Sequence, residues 1–141
     1  MPHPHLRKYP LTVKSFHHDP QSSIFISDQA YIDDCRRVRI GAYSCICEGV
    51  RIHGHFHWMN LETQMTAYDF GTPEEVVRPA SCLTISHHVW ICEGVTILPQ
   101  VTYIAPHVVI GARAVVTRNL VEEWGMYAGS PARLIKRHKY D

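Results

Sequence analysis

The sequence predicts an all-β protein wound as a solenoid of short strands, and three observations carry that expectation. A heptapeptide occurs twice. Ile46–Ile52 reads Ile-Cys-Glu-Gly-Val-Arg-Ile and Ile91–Ile97 reads Ile-Cys-Glu-Gly-Val-Thr-Ile, identical at six of seven positions. Isoleucine recurs at a step of six through Ile26 and Ile32 and, after two extra residues, Ile40, Ile46 and Ile52. The ladder resumes at Ile85, Ile91 and Ile97 and, after one extra residue, runs on through Ile104, Ile110 and Val116. A second residue, mostly small or branched, precedes each rung by two: Ile24, Ala30, Val38, Ser44 and Val50, then Leu83, Val89, Val95, Thr102, Val108 and Ala114.

A step of six fits neither an amphipathic helix nor one long alternating strand. It fits a chain that turns a corner every few residues and returns to one interior. Residues two apart share a strand face, so each rung and its forerunner point inward together. The branched side chains at these positions suit extended backbone. With three strands per coil, about eleven rungs make roughly four coils of a triangular prism. A sandwich of short strands also turns often, but it does not keep a six-residue step for so long.

The totals fit one globular domain. The chain has 141 residues, 45% hydrophobic and 19% charged, with a formal net charge of +1. That balance asks for no nucleic acid and no anionic membrane as partner. No apolar run is long enough to span a bilayer, and Met-Pro-His-Pro-His-Leu-Arg-Lys has no apolar signal core, so a cytoplasmic location is the expectation. Five cysteines, an odd number without a Cys-x-x-Cys pair, read as thiols rather than disulfides or zinc ligands.

Residues 1–22 contain Pro2, Pro4, Pro10 and Pro20 and read as an irregular lead-in. The repeat domain covers 24–120 and is interrupted by a loop at 53–82. A tail follows at 121–141. The interruption is 30 residues without rungs, and an excursion that long in a small domain is usually functional. It opens Ile52-His53-Gly54-His55-Phe56-His57-Trp58 and later contains Thr66-Ala67-Tyr68-Asp69-Phe70. His53, His55 and His57 alternate, so on a strand they share one side and could hold a metal.

Three ordered motifs between Val89 and Lys136 give the repeat a family. Val-Trp-Ile-Cys-Glu-Gly-Val-Thr-Ile-Leu-Pro, Ile110-Gly111-Ala112-Arg113-Ala114-Val115-Val116-Thr117-Arg118 and Ala128-Gly129-Ser130-Pro131-Ala132-Arg133-Leu134-Ile135-Lys136 resemble those of the hexapeptide-repeat acyltransferases. The resemblance is strongest to the xenobiotic (chloramphenicol and streptogramin) acetyltransferases and related sugar acetyltransferases. It implies a left-handed parallel β-helix with a long protruding loop and a short C-terminal helix or arm. The family favours glycine just after each rung. Here that slot holds glycine only at Gly41 and Gly111, which predicts less regular corners.

The resemblance also implies an activity: transfer of an acetyl group from acetyl-CoA to a small-molecule acceptor, a sugar or an antibiotic, by a homotrimer. A histidine at the start of the loop would be the general base. Thr66–Phe70 is a degraded form of the segment that follows it in the family. His57 is the first choice, with His55 and then His53 behind it. Neutral imidazole, with an ordinary pKa near 6.5, suits removal of a proton from an attacking hydroxyl or, less readily, an amine. The family's cofactor groove maps onto Trp90, Glu93, Ala112, Thr117, Arg118, Arg133 and Lys136. His87, His88 and His107 read as turn residues. No metal ligands are assigned. The alternatives are a carbonic-anhydrase-like metal lyase on the same fold and a non-catalytic trimeric assembly module.

Overall fold

The computed structural model describes residues 12–13, 24–57, 59–60, 65–66 and 77–138, with side chains for 24–56 and 78–138. The described residues are all-β and contain no helix. Eighteen short strands run in chain order. They are β1 (Thr12–Val13), β2 (Phe25–Ile26), β3 (Tyr31–Ile32), β4 (Val38–Ile40), β5 (Cys45–Ile46), β6 (Arg51–Ile52), β7 (His55–His57), β8 (Met59–Asn60) and β9 (Met65–Thr66). After these come β10 (Val77–Pro79), β11 (Leu83–Ile85), β12 (Trp90–Ile91), β13 (Thr96–Ile97), β14 (Tyr103–Ile104), β15 (Val109–Ile110), β16 (Val115–Val116), β17 (Gly125–Ala128) and β18 (Arg133–Arg137).

Fourteen of these strands lie in three sheets, visited in rotation and parallel throughout except for β18. Sheet A is ordered β1-β4-β11-β14, sheet B β18-β17-β15-β12-β5-β2, and sheet C β16-β13-β6-β3. The rungs stack in register. Ile40, Ile85 and Ile104 are neighbours in sheet A. Ile26, Ile46, Ile91 and Ile110 follow one another in sheet B, and Ile32, Ile52, Ile97 and Val116 in sheet C. The rungs from Ile40 onward and most of their forerunners form one buried cluster. Burying a side chain of this size contributes about 1.5–3 kcal/mol. No hexad could bury its rung without the coils above and below.

Two forerunners depart from the apolar rule. Ser44 is buried, and its hydroxyl donates to the Ser86 carbonyl (2.9 Å) and accepts from the Val89 amide (3.1 Å), so it is satisfied. Thr102 is only half-buried, and the neighbouring Val101 is wholly buried instead. The extra residue before Ile104 moves the inward position by one. The Thr102 amide takes the Asn119 side chain at 2.7 Å.

The corners are regular, contrary to the expectation from glycine scarcity. The left-handed backbone falls three residues after the rung, not one. Tyr43, Gly49, His88, Gly94, His107 and Arg113 hold that slot, with φ between 56° and 73°. Gly41 answers a different need. A Cβ there would lie 2.4 Å from the His87 amide nitrogen.

Irregularity falls mainly at the C-to-A corner, although one extra residue also enters the last A-to-B corner between Leu120 and Tyr127. The two extra residues before β4, the excursion between β6 and β11, and the extra residue before β14 all fall there. The excursion is not structureless at its base. β7 pairs antiparallel with β10, and β8 with β9. Residues 61–64 and 67–76, including most of the Thr66–Phe70 segment, lie outside the described residues. At the N-terminus, β1 pairs parallel with β4, and the rest of 1–22 lies outside the described residues. Beyond residue 120, β17 extends sheet B, and β18 returns along it antiparallel. Residues 133–137 are therefore a strand and not a helix. Among the described residues, no helix is long and apolar enough to cross a membrane. No disulfide joins any of the cysteines.

Candidate active site

At the foot of the excursion, the side chain of Asp33 collects three partners. Its Oδ1 accepts the Cys35 amide at 3.0 Å, and its Oδ2 accepts the Gly54 amide at 3.2 Å. The His55 Nδ1 lies 2.5 Å from the same Oδ2. Burial pushes the Asp33 carboxyl up, but the hydrogen bonds from Cys35 and His55 outweigh it and hold the group below its ordinary value. An ionised Asp33 accepts, so Nδ1 carries the proton and the His55 lone pair sits on Nε2. The His55 side chain is 13% exposed and that of Asp33 only 1%. Gly54 is required here, because a Cβ would meet the Asp33 side chain at 2.9 Å.

Arg36 fixes the same corner. Its wholly buried guanidinium donates to the carbonyls of Ser81 (2.8 Å), His53 (3.1 Å) and Val101 (2.6 Å). It clamps both ends of the excursion to the following coil. Burial pulls its pKa down to about 10, which leaves it charged at neutral pH. The sequence reading missed both Asp33 and Arg36. Their signal was the two-residue surplus between Ile32 and Ile40, the insertion that carries them inward.

His53 is half-buried, and burial, with Arg51 beside it, lowers its pKa. His57 ends β7, two residues from His55, and its side chain lies outside the described residues. Asp33, Cys35 and His55 offer ligand atoms within 4.8 Å of one another. The Asp33 oxygens, however, already accept two amides and the His55 ring.

Trp90, Glu93 and Ala112 come together as predicted positions go. They line one cleft of about 520 Å³ with Phe25, Ser27, Cys47, Glu48 and Cys92. Trp90 is 52% exposed and donates from Nε1 to the Cys47 sulfur at 3.4 Å. Cys47 and Cys92, each in the slot just after a rung, are part of this wall. Burial, then Cys47 and Glu93, pushes the Cys92 thiol up. Thr117, Arg118, Arg133 and Lys136 do not line the cleft. Thr117 and Arg118 follow β16, and Arg133 and Lys136 lie exposed on β18. The cleft sits on sheet B and the B-to-C corner. His55 leaves from the C-to-A corner, so sheet C separates the two within one chain.

No protein-family model matches the chain. Among characterised proteins, it is 30% identical over 119 residues to an Escherichia coli K-12 protein named for O-acetyl transfer in lipopolysaccharide biosynthesis. That match covers 84% of this chain and 60% of the relative. It is 33% identical over 111 residues to a Lysinibacillus sphaericus protein named for macrolide acetylation, covering 72% of this chain and 61% of the relative. Among solved structures, a Vibrio cholerae hexapeptide-repeat acetyltransferase complexed with acetyl coenzyme A matches with a TM-score of 0.68. The identity is 19%, over 93% of this chain and 66% of the other. The chain has the fold of these hexapeptide-repeat acetyltransferases. A galactoside acetyltransferase in complex with coenzyme A shares the fold as well, with a TM-score of 0.67 and 23% identity, over 95% of this chain and 62% of the other. This hexapeptide-repeat chain spans about three fifths of the length of the curated relatives it matches.

Proposed function

We propose that the protein is an acetyl-CoA-dependent acetyltransferase acting on a hydroxyl of a sugar or antibiotic-like acceptor, with its sites shared between neighbouring copies of a homotrimer. The coil sense in this reading is the family's left-handed one. The observation that carries the proposal is the Asp33–His55 pair and the Trp90 cleft, held on two different corners of one chain. A second copy is needed to bring such groups together, which favours the trimer.

His55 takes the part of general base, ahead of the His57 favoured by sequence. Asp33 fixes the tautomer that leaves the lone pair on Nε2. As the acceptor attacks, Nε2 takes its proton, a contribution of about 10²–10⁴-fold in rate. Asp33 then stabilises the imidazolium. His57, two residues along β7, is the remaining candidate. The cleft fits the amphipathic arm of a coenzyme A molecule. Phe25, Trp90 and the small Ala112 give it apolar surface, and Ser27 and Glu93 offer polar atoms. When bound there, acetyl-CoA supplies an activated acyl thioester. Arg118, Arg133 and Lys136, with Thr117, give the outer surface donors for phosphate groups.

The test is thiol release from acetyl-CoA in the presence of sugars and of chloramphenicol-, streptogramin- and macrolide-type acceptors. The expected result is turnover with at least one acceptor and a loss of about 10²-fold or more in kcat for His55→Ala. Undiminished turnover by His55→Ala would move the base to His57. No turnover with any acceptor, and no rise in melting temperature with millimolar acetyl-CoA, would leave an assembly module as the reading.

A further inference from the structure

The histidines outside the lead-in and the excursion are His87, His88, His107 and His138, and all four gather on the A-to-B corner. His87 and His88 form the turn between β11 and β12. His107 occupies the turn one coil later, between β14 and β15. His138 follows β18. The turns are laced by main-chain bonds from His88 to Ala42 (2.9 Å), His107 to His87 (3.2 Å) and His138 to Trp124 (2.9 Å).

An aromatic column runs along this corner. His88 stacks between Tyr43 (5.1 Å between ring centres) and His107 (4.8 Å), and His107 lies flat on Trp124 at 3.8 Å. Tyr43, His88, His107 and Trp124 all hold left-handed backbone, with φ of 60°, 56°, 61° and 67°. Residues with a Cβ rarely sit there, and glycine would do so without strain. Four successive aromatic occupants of a slot that the B-to-C corner fills largely with glycine imply that their rings are in use.

His87 and His88 face each other with their Nδ1 atoms 2.9 Å apart. Together with His107 they present three ring nitrogens within 4.8 Å of one another. We propose that His87, His88 and His107 form a site for one divalent transition-metal ion of the zinc, nickel or copper class.

The geometry suits such an ion. Two nitrogens each about 2.1 Å from a metal and a right angle apart are about 3.0 Å from each other, and about 3.4 Å at a tetrahedral angle. The His87–His88 separation of 2.9 Å is at the short edge of that range, and the His107 ring joins them by turning out of its stack. Neutral imidazoles select borderline metals over calcium or magnesium, which take oxygen ligands. The mounting is preformed. Trp124 packs on the His107 ring, and the His138 Nε2 lies 2.5 Å from the His107 carbonyl oxygen. His87 and His88 are exposed, so the ion is exchangeable and its remaining positions are open to water or a small ligand. Because the ligands come from two coils, the ion also staples the β11–β12 turn to the β14–β15 turn. None of these residues belongs to the proposed acetyl-transfer site.

The test titrates the full, tag-free chain with zinc against a chromophoric chelator. The same titration is run on four variants. They are His88→Asn/His107→Asn, His87→Ala, His55→Asn, and a variant with His3, His5, His17 and His18 all changed to alanine. Asparagine tolerates left-handed backbone, so the double variant keeps the corner's main chain. His87 has ordinary backbone and gives a second, less intrusive lesion. The expected result is one zinc per chain in the wild type, the His55→Asn protein and the N-terminal variant. The double variant and His87→Ala lose tenfold or more in affinity. Three results would overturn the proposal. One is no uptake by the wild type at about 100 µM zinc, which corresponds to binding weaker than about −5.5 kcal/mol. Another is unchanged affinity in both corner variants. The third is loss confined to His55→Asn, which would place the ion at Asp33 instead.

Discussion

The guanidinium of Arg36 donates to the carbonyl of Val101, 65 residues further along, at 2.6 Å. The same side chain holds the His53 and Ser81 carbonyls at the two ends of the excursion. Removing it leaves three carbonyls without this donor, that of Val101 buried, and an empty space. Arg36→Met is expected to cost about 3–5 kcal/mol, read from the urea midpoint. Arg36→Lys is expected to recover only part of this, because an ammonium cannot reach three diverging carbonyls as the planar fork does. A cost below about 1 kcal/mol for Arg36→Met would show that the clamp is dispensable.

Asp33 gives the fold a predictable acid sensitivity. Its carboxyl has a lowered pKa in the folded protein. Its contribution is therefore present above the ordinary carboxylate value of about 3.9 and is lost as pH falls from there through the folded value. Asp33→Asn is expected to be less stable than the wild type at pH 7 and to lose less on acidification toward pH 3. Urea melts at pH 7, 5, 4 and 3 measure this. Parallel curves for the two proteins would remove Asp33 from the acid response.

Trp90 and Ile91 are adjacent in β12 but face opposite ways. Ile91 is wholly buried between Ile46 and Ile110, and Trp90 is 52% exposed in the cleft. Ile91→Ala is expected to cost about 2–5 kcal/mol. Trp90→Ala is expected to leave stability within about 1 kcal/mol of the wild type and to raise the KM for acetyl-CoA about tenfold, a loss of about 1.4 kcal/mol. Thermal melts and initial rates separate the two. An unchanged KM would take Trp90 out of cofactor binding.

Two glycines at corners serve different ends. At Gly41 a Cβ would collide with backbone of the next coil, 2.4 Å from the His87 amide nitrogen and 2.5 Å from the Ser86 carbonyl carbon. Gly41→Ala is expected to cost about 1–3 kcal/mol or more, since no side chain can yield. At Gly49 there is room, the nearest atom being 3.5 Å away, and only the φ of 73° opposes a side chain. Gly49→Ala is expected to cost about 1 kcal/mol and Gly49→Asn less, by thermal melting. The reverse order would mean that dihedral strain, not crowding, governs these corners.

The rungs were legible because they obey a single rule. Ile40, Ile46 and Ile52, with their partners a coil later, are buried by stacking in register, and that leaves a period in the sequence. Thr102 broke the rule by one residue, since an insertion at the corner shifts which side chain faces in. The cleft was legible at Trp90, Glu93 and Ala112 through motif resemblance. Asp33 and Arg36 were not, because a buried carboxylate and a buried guanidinium become informative only once their long-range partners, 17 to 65 residues away, are known. The same holds for His87, His88 and His107. Their meaning depends on two turns lying one above the other, and neither turn shows it alone.

The concentration of the large length changes at the C-to-A corner has a bearing on how such a chain can diversify. At the A-to-B corner, stacked rings and the close approach of Gly41 to the His87 backbone hold one coil against the next. At the C-to-A corner, surplus chain leaves and returns without disturbing the phase, and Arg36 closes the gap behind it. Acceptor-binding segments of different length could be exchanged at that one place, with Asp33 waiting at the foot to receive whichever histidine the new segment brings.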